Sequence, residues 1–86
     1  MQVLIPSPLL SYTEQRKSVE ASGPTLEAVL ADLERQFPGL RFRIVDEQGN
    51  MRPHMRFFVN GEQVFALDGA LSPTDSIALV QALSGG

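Results

Sequence analysis

The fold is decided by one stretch, TLEAVLADLERQFPG at residues 25–39, which carries the strongest helical pattern in the chain. Thr25 is a candidate N-cap, and the acidic Glu27 stands in the predicted first turn, where a helix favours negative charge. Apolar residues recur at helical spacing: Leu26, Val29, Leu30, Leu33 and Phe37. Pro38 and Gly39 end the pattern. We therefore predict one main helix that covers a sheet with this apolar stripe.

Two short strand patterns precede the helix. Residues 3–5 are apolar and rich in β-branched side chains, and Pro6 and Pro8 stop this first strand. Residues 15–20 form a more polar run that predicts a second strand after a loop. Together the two segments indicate an antiparallel pair.

Further strand patterns follow the helix. Residues 41–45 favour a strand, and residues 46–50 form a cluster of turn residues. Residues 55–59 alternate between the two faces of a strand, Asn60-Gly61 favours a type I′ hairpin turn, and residues 63–65 form the return strand.

The last strand pattern runs over residues 75–79, after a turn at residues 72–75. Alternation points Ile77 and Leu79 inward. The order is ββαβ(β)β, which predicts an α+β fold of β-grasp topology, with a mixed sheet and one main helix across one face. In this topology the last strand lies centrally, beside the first.

Length and composition limit the classes of protein that the chain can represent. Its 86 residues support only one core, so we expect a single β-grasp domain over residues 1–86, with 81–86 as an extended functional tail. The net charge of -3 argues against a nucleic-acid partner, and no stretch approaches the length of a membrane span. Without cysteine there is no disulfide framework or thiolate metal site. We predict a cytoplasmic protein with no membrane partner.

Basic residues cluster in the middle of the chain. Five of the seven are arginines between Arg35 and Arg56, although Asp46 and Glu47 interrupt the cluster. Two interpretations stay open: a solvated face, or a patch that docks an acidic protein.

No side-chain constellation predicts catalysis. His54 is the only histidine and has neither a cysteine nor a second histidine to complete a triad or a metal site. The reactive group that remains is the α-carboxylate of Gly86, which can attack the α-phosphate of ATP to give an acyl adenylate. Gly85 and Gly86 suit passage through a narrow channel, since they carry no side chain. The alternative is a flexible end without a role.

Several phrases resemble the MoaD/ThiS family of ubiquitin-like sulfur carriers. In the C-terminal half they are Val59-Asn60-Gly61-Glu62, Leu71-Ser72-Pro73-Thr74-Asp75, and Asp75-Ser76-Ile77 followed at a fixed distance by Gly85-Gly86. In the N-terminal half they are Ile5-Pro6, residues 18–23, residues 25–29 and Leu33-Glu34. Within the family, these phrases are most similar to the cysteine-forming carriers of the CysO type.

The resemblance implies a carrier that is acted on by other enzymes. An E1-like enzyme would adenylate Gly86 with ATP, and no cofactor would be bound permanently. The product would become a thiocarboxylate that donates sulfur to the synthesis of cysteine, molybdopterin, thiazole or a related compound. A sulfur donor and a sulfur-accepting synthase would be the other partners of a monomeric chain.

The resemblance also assigns roles to tail residues. Leu83 and Gly85 match family positions in the channel of the activating enzyme, and we include Ser84 between them. Many relatives carry proline where Gln81 stands, so this tail should be less rigid than theirs. Two other functions stay open: a ubiquitin-like modifier joined to lysines through Gly86, and a non-covalent binding module.

Phe58 is a further candidate for partner binding. Alternation turns its side chain to the face of the sheet opposite to that of Phe57 and Val59. The helix does not cover this face, and an aromatic side chain there would anchor a partner. The other interpretation is that Phe58 folds against residues 40–45.

Overall fold

The structure, a computed structural model, describes residues 1–82. Five strands, two α-helices and one 3₁₀ helix are formed in this part of the chain. In order they are β1 (Gln2–Leu4), the 3₁₀ helix (Ser7–Thr13), β2 (Ser18–Glu20), α1 (Leu26–Gln36), α2 (Leu40–Ile44), β3 (Met55–Val59), β4 (Glu62–Val64) and β5 (Ile77–Gln81). Neither α-helix of the described residues is long and apolar enough to cross a bilayer.

The strands form one mixed sheet in the order β2-β1-β5-β3-β4. The central strand, β5, runs parallel to β1, with Val3 opposite Ile77, and antiparallel to β3, with Phe57 opposite Leu79. Strands β2 and β4 pair antiparallel with β1 and β3 and form the two edges. The predicted β-grasp topology is therefore confirmed, including the place of the last strand beside the first.

Helix α1 covers one face of this sheet. The side-chain oxygen of Thr25 accepts a hydrogen bond from the backbone N–H of Ala28 at 3.2 Å, so Thr25 caps the helix as predicted. All five residues of the predicted stripe are buried: Leu26, Val29, Leu30, Leu33 and Phe37. They belong to one core cluster with the inward residues of the central strands, Val3, Phe57, Ile77 and Leu79. The predictions of the helix and of the inward strand residues are thus confirmed.

The segment at residues 41–45 is not the predicted strand. Residues Leu40–Ile44 form the short helix α2, which begins after Gly39 at a positive φ of 96°. Leu40 and Ile44 are both fully buried. Side chains four residues apart lie on the same side of a helix, so one helical turn places both in the core.

Other boundaries also differ from the sequence prediction. Residues 15–17 do not extend the second strand, because Gln15 has a φ of 66° and belongs to a turn after the 3₁₀ helix. The observed β1, β4 and β5 are shifted by one or two residues from the predicted strands. The shift of β5 matters for function, since Gln81, which was predicted to start the tail, still pairs with Met55.

Candidate functional site

Four of the predicted site residues lie outside the described residues: Leu83, Ser84, Gly85 and Gly86. The fifth, Phe58, is described, as is the part of the chain that leads to the tail. We call Gln81 and Ala82 the root of the tail.

Strand β3 holds the root in place. Gln81 lies opposite Met55 in the sheet, and the backbone N–H of Ala82 donates a 2.7 Å hydrogen bond to the carbonyl oxygen of His54. The pairing therefore continues one residue beyond β5. Strand β5 lies between β1 and β3, so the root continues from a central strand, and at the root itself the pairing is with β3.

An apolar patch lies beside the root, on the face of the sheet opposite to the core. We call this surface the open-face patch, and it consists of Leu4, Phe58, Ala78 and Val80. Leu4 and Phe58 both lie opposite Ala78 in the sheet, one on each side of it. Leu4 is 45% and Val80 41% exposed, and the half-buried Phe58 lines the same groove. Period-two alternation explains the patch, because it turns these residues away from the core.

The location of Phe58 decides between the two sequence interpretations. Residues 40–45 do not line the groove that contains Phe58, and Leu40 and Ile44 lie in the core on the other face. The expectation that Phe58 lies on the face not covered by α1 is therefore confirmed, and the alternative of packing against residues 40–45 is wrong. Its role in binding stays a prediction.

At the N-terminal end of β5, the turn at Asn60-Gly61 is hydrogen-bonded to the turn at residues 72–75. Asn60 and Gly61 have φ values of 52° and 84°, as a type I′ turn requires. The side-chain amide of Asn60 donates to Asp75 at 2.9 Å, and its oxygen accepts from the N–H of Ser76 at 2.9 Å. Asp75 also accepts from the N–H of Ser72 at 2.8 Å. The bonds from Ser72 and then Asn60 lower the pKa of Asp75. We call these contacts the Asn60–Asp75 link, and they fix where β5 begins.

A basic pocket lies on the helix side of the sheet, also at the root. It is lined by Pro8, Leu9, Phe42, Arg43, Arg52, His54 and Gln81. The guanidinium of Arg52 lies 4.7 Å from the centre of the Phe42 ring, and its Nε donates to the Phe42 carbonyl at 2.7 Å. The guanidinium of Arg43 lies 5.9 Å from the centre of the Tyr12 ring. The root is thus bordered by an apolar surface on one side and a cationic one on the other.

The part of the chain that the structure describes holds no cluster of metal-binding side chains. In residues 1–82 no three side chains of histidine, cysteine, aspartate or glutamate lie close enough together to hold a metal ion. His54 lines the basic pocket next to arginines, without a serine or a carboxylate among the lining residues.

Comparisons with known proteins agree on a family. The model of the ThiS family matches residues 3–86. The sulfur carrier protein CysO of Mycobacterium tuberculosis is 37% identical over 89 residues, which cover 98% of this chain and 96% of that protein. A chain in the crystal structure of the Amycolatopsis orientalis BexX/CysO complex is 31% identical, with a TM-score of 0.91 over 99% of this chain and 98% of that one.

A protein modifier is also similar. Small archaeal modifier protein 3 of Haloferax volcanii is 35% identical over 65 residues, which cover 72% of this chain and 70% of that protein. The similarity is therefore shared between proteins named as carriers and a protein named as a modifier.

Proposed function

This chain belongs to the ThiS family, and we propose that it carries sulfur on the α-carboxylate of Gly86. Its relatives of the CysO type are sulfur carriers, which are substrates rather than enzymes. The same role fits residues 1–82, which provide surfaces at the root of the tail. We place the carrier in the cytoplasm, where an ATP-dependent activating enzyme would act on it.

The proposed chemistry has two steps. A carboxylate oxygen of Gly86 attacks the α-phosphorus of ATP, an acyl phosphate bond forms, and pyrophosphate leaves. A sulfide-level sulfur atom from the donor then attacks the carbonyl carbon, and AMP leaves with the oxygen. The product is a thiocarboxylate, and its sulfur is passed on to an acceptor bound by a downstream synthase.

The observation that carries this proposal is the central position of β5. A tail that follows a central strand starts from a fixed point, so a partner that binds the sheet also positions the tail. Leu83, Ser84 and Gly85 would then lie in the channel of an E1-like activating enzyme, and Gly86 would reach its ATP. Drawn out at about 3.3 Å per residue, the four residues after Ala82 reach roughly 13 Å.

The open-face patch is the surface that we assign to this enzyme. Large apolar side chains that are left partly exposed beside one another are typical of protein interfaces, and an aromatic residue in a groove is a typical anchor. Phe58 provides such an anchor, in the groove that Leu4 and Val80 also line. The Amycolatopsis orientalis relative was crystallised in a complex with BexX, which supports a protein partner for carriers of this family.

The intact mass of the carrier tests the proposal. After incubation with ATP, a sulfide source and the activating enzyme, we expect a gain that corresponds to one oxygen replaced by sulfur, located on Gly86. The matched control is the chain without Gly86, which should gain nothing, as should the full chain without ATP. An unchanged mass with an enzyme that activates its own known carrier would contradict the proposal.

The acceptor is the finer part of the proposal. The 37% identity to CysO over 98% of this chain favours cysteine synthesis, with an activated serine derivative as the acceptor. We expect thiocarboxylated carrier to yield cysteine when it is mixed with the synthase and that derivative. Formation of a molybdopterin or thiazole product instead would place the carrier in a different pathway.

A protein modifier is the second candidate function. It is favoured by the 35% identity to small archaeal modifier protein 3 and would use the same adenylate with a lysine amine in place of sulfide. Blots against the carrier in cell extracts distinguish the two, since only a modifier gives conjugates of higher mass that disappear when Gly86 is deleted.

A further inference from the structure

We propose that the basic pocket docks an acidic surface of the activating enzyme, at the mouth of the channel that takes up the tail. This inference rests on the function proposed above and adds a second contact, chemically unlike the open-face patch. Of the two interpretations of the arginine cluster, it adopts docking to an acidic protein for one part of that cluster.

The arginines of the cluster fall into two groups. Arg35 pairs with Asp32, and Arg41 pairs with Glu27 at 2.7 Å. Within residues 1–82, no carboxylate lies within ion-pair distance of the other three: Arg43, Arg52 and Arg56. The chain has ten acidic residues for seven basic ones, so a shortage of carboxylates does not explain why these positive charges are left unneutralised. Arg43 and Arg52 line the same pocket.

Contacts within the chain orient Arg52 before any partner binds. The stacking of Arg52 on Phe42 and its bond to the Phe42 carbonyl use the ring face and Nε, which leaves the terminal nitrogens for a ligand. His54 lines the pocket, and its carbonyl oxygen bonds the N–H of Ala82. These contacts orient Arg52 in the pocket beside the root, and a preorganised side chain loses less entropy on binding.

The position of the pocket indicates which kind of group would face it. With the four residues after Ala82 extended to their reach of roughly 13 Å in the channel, ATP that reacts with Gly86 would lie away from the pocket. What faces the pocket while the tail is taken up is the protein surface around the channel entrance. Asp and Glu side chains are the groups on such a surface that complement guanidinium ions.

The two surfaces would have different effects on the complex. The open-face patch would contribute affinity through apolar burial, whereas charge pairs across an interface mainly set orientation and speed up association. Because the patch and the pocket lie on opposite faces of β5, an enzyme that contacts both can receive the tail in only one orientation.

Two matched charge reversals test the pocket. Arg43→Glu changes the pocket, and Arg35→Glu makes the same charge change on α1, at a side chain that is 75% exposed. The measurement is the steady-state rate of pyrophosphate release by the activating enzyme as a function of carrier concentration. At about 0.05 M salt we expect Arg43→Glu to raise KM roughly tenfold with kcat within about twofold, and Arg35→Glu to change KM less than about twofold. At about 0.3 M salt the difference should shrink, because screening weakens exposed charge pairs.

The outcomes separate the two proposals. If the wild-type carrier releases no pyrophosphate, the proposed function fails, and the pocket proposal fails with it. If the wild type is adenylated but Arg43→Glu and Arg35→Glu give equal KM values, only the pocket proposal is overturned. A KM increase that is unchanged at high salt would also overturn it. Arg43→Gln removes the charge without reversing it, so it should give an intermediate KM and a melting temperature close to that of the wild type.

Discussion

Phe57 and Phe58 are neighbours in β3 with opposite surroundings. Phe57 is 0% exposed and belongs to the core cluster beneath α1, whereas Phe58 lies in the open-face patch. Two residues of the same type, one position apart, therefore face the core and the open-face patch. The inner face of the sheet stabilises the fold, and we assign the outer face to recognition. The difference arises from the pleat of the strand and from the side on which the single main helix packs.

The largest expected effect tests the inner face. Phe57→Ala removes a fully buried ring and leaves a cavity, which should lower the free energy of unfolding by roughly 3–5 kcal/mol. Urea denaturation followed by circular dichroism measures this change. A loss below about 1 kcal/mol would contradict the assignment of Phe57 to the packed core.

The next effect tests the outer face. Phe58→Ala should weaken binding to the activating enzyme roughly tenfold, or about 1.4 kcal/mol, with little change in melting temperature. Titration calorimetry measures the affinity. Phe65→Ala is the matched control, because Phe65 is 80% exposed and lies outside the open-face patch. A large fall in melting temperature with unaltered affinity would reverse the roles that we assign to the two faces.

The smallest effect tests the Asn60–Asp75 link at the start of β5, where Asn60 and Ser76 line the same groove as Phe58. Hydrogen bonds from Ser72 and then Asn60 lower the pKa of Asp75. A lowered pKa contributes stability that is present above the pKa of the unfolded chain and is lost as the pH falls through the lower value of the folded chain. Asp75→Asn should therefore be slightly less stable than the wild type near neutral pH, and the difference should begin to shrink below about pH 4 and vanish only below the lowered pKa of the folded chain.

Thermal melts over a range of pH measure this effect. Asp68→Asn, at another exposed aspartate, is the control for a change of net charge. Affinity for the activating enzyme should be the same in both variants, since neither residue lies in the patch or the pocket. A difference in stability that grows as the pH falls would show that the carboxylate of Asp75 is not stabilised by these bonds.

The sequence predicts the parts of the fold that have a long or regular pattern. The stripe of α1 and the alternation in β3 and β5 repeat often enough to define both the element and its inward face. Residues 41–45 are too short for this, and their helical form depends on Leu40 and Ile44 being drawn into the same core. The residue type of Gln15 does not indicate its positive φ, so the sequence predicts a second strand that is longer than the observed one.

The sequence likewise predicts some features of the candidate site and not others. Alternation alone places Phe58 on the outer face, and the Arg35 and Asp32 pair is readable as a helical spacing of three residues. Arg43 and Arg52 line the same pocket only in the folded chain, where α2 carries Arg43 and the loop after it carries Arg52. Such contacts between distant residues depend on the folded chain.

The place of β5 between β1 and β3 has a mechanical consequence. A force along the tail, such as an enzyme would apply while drawing it into a channel, loads the hydrogen bonds on both sides of β5 in shear. Five residue pairs with β3 and two with β1 then share the load, whereas an edge strand has paired residues on one side alone. A force on the tail is therefore resisted by paired residues on both sides of β5.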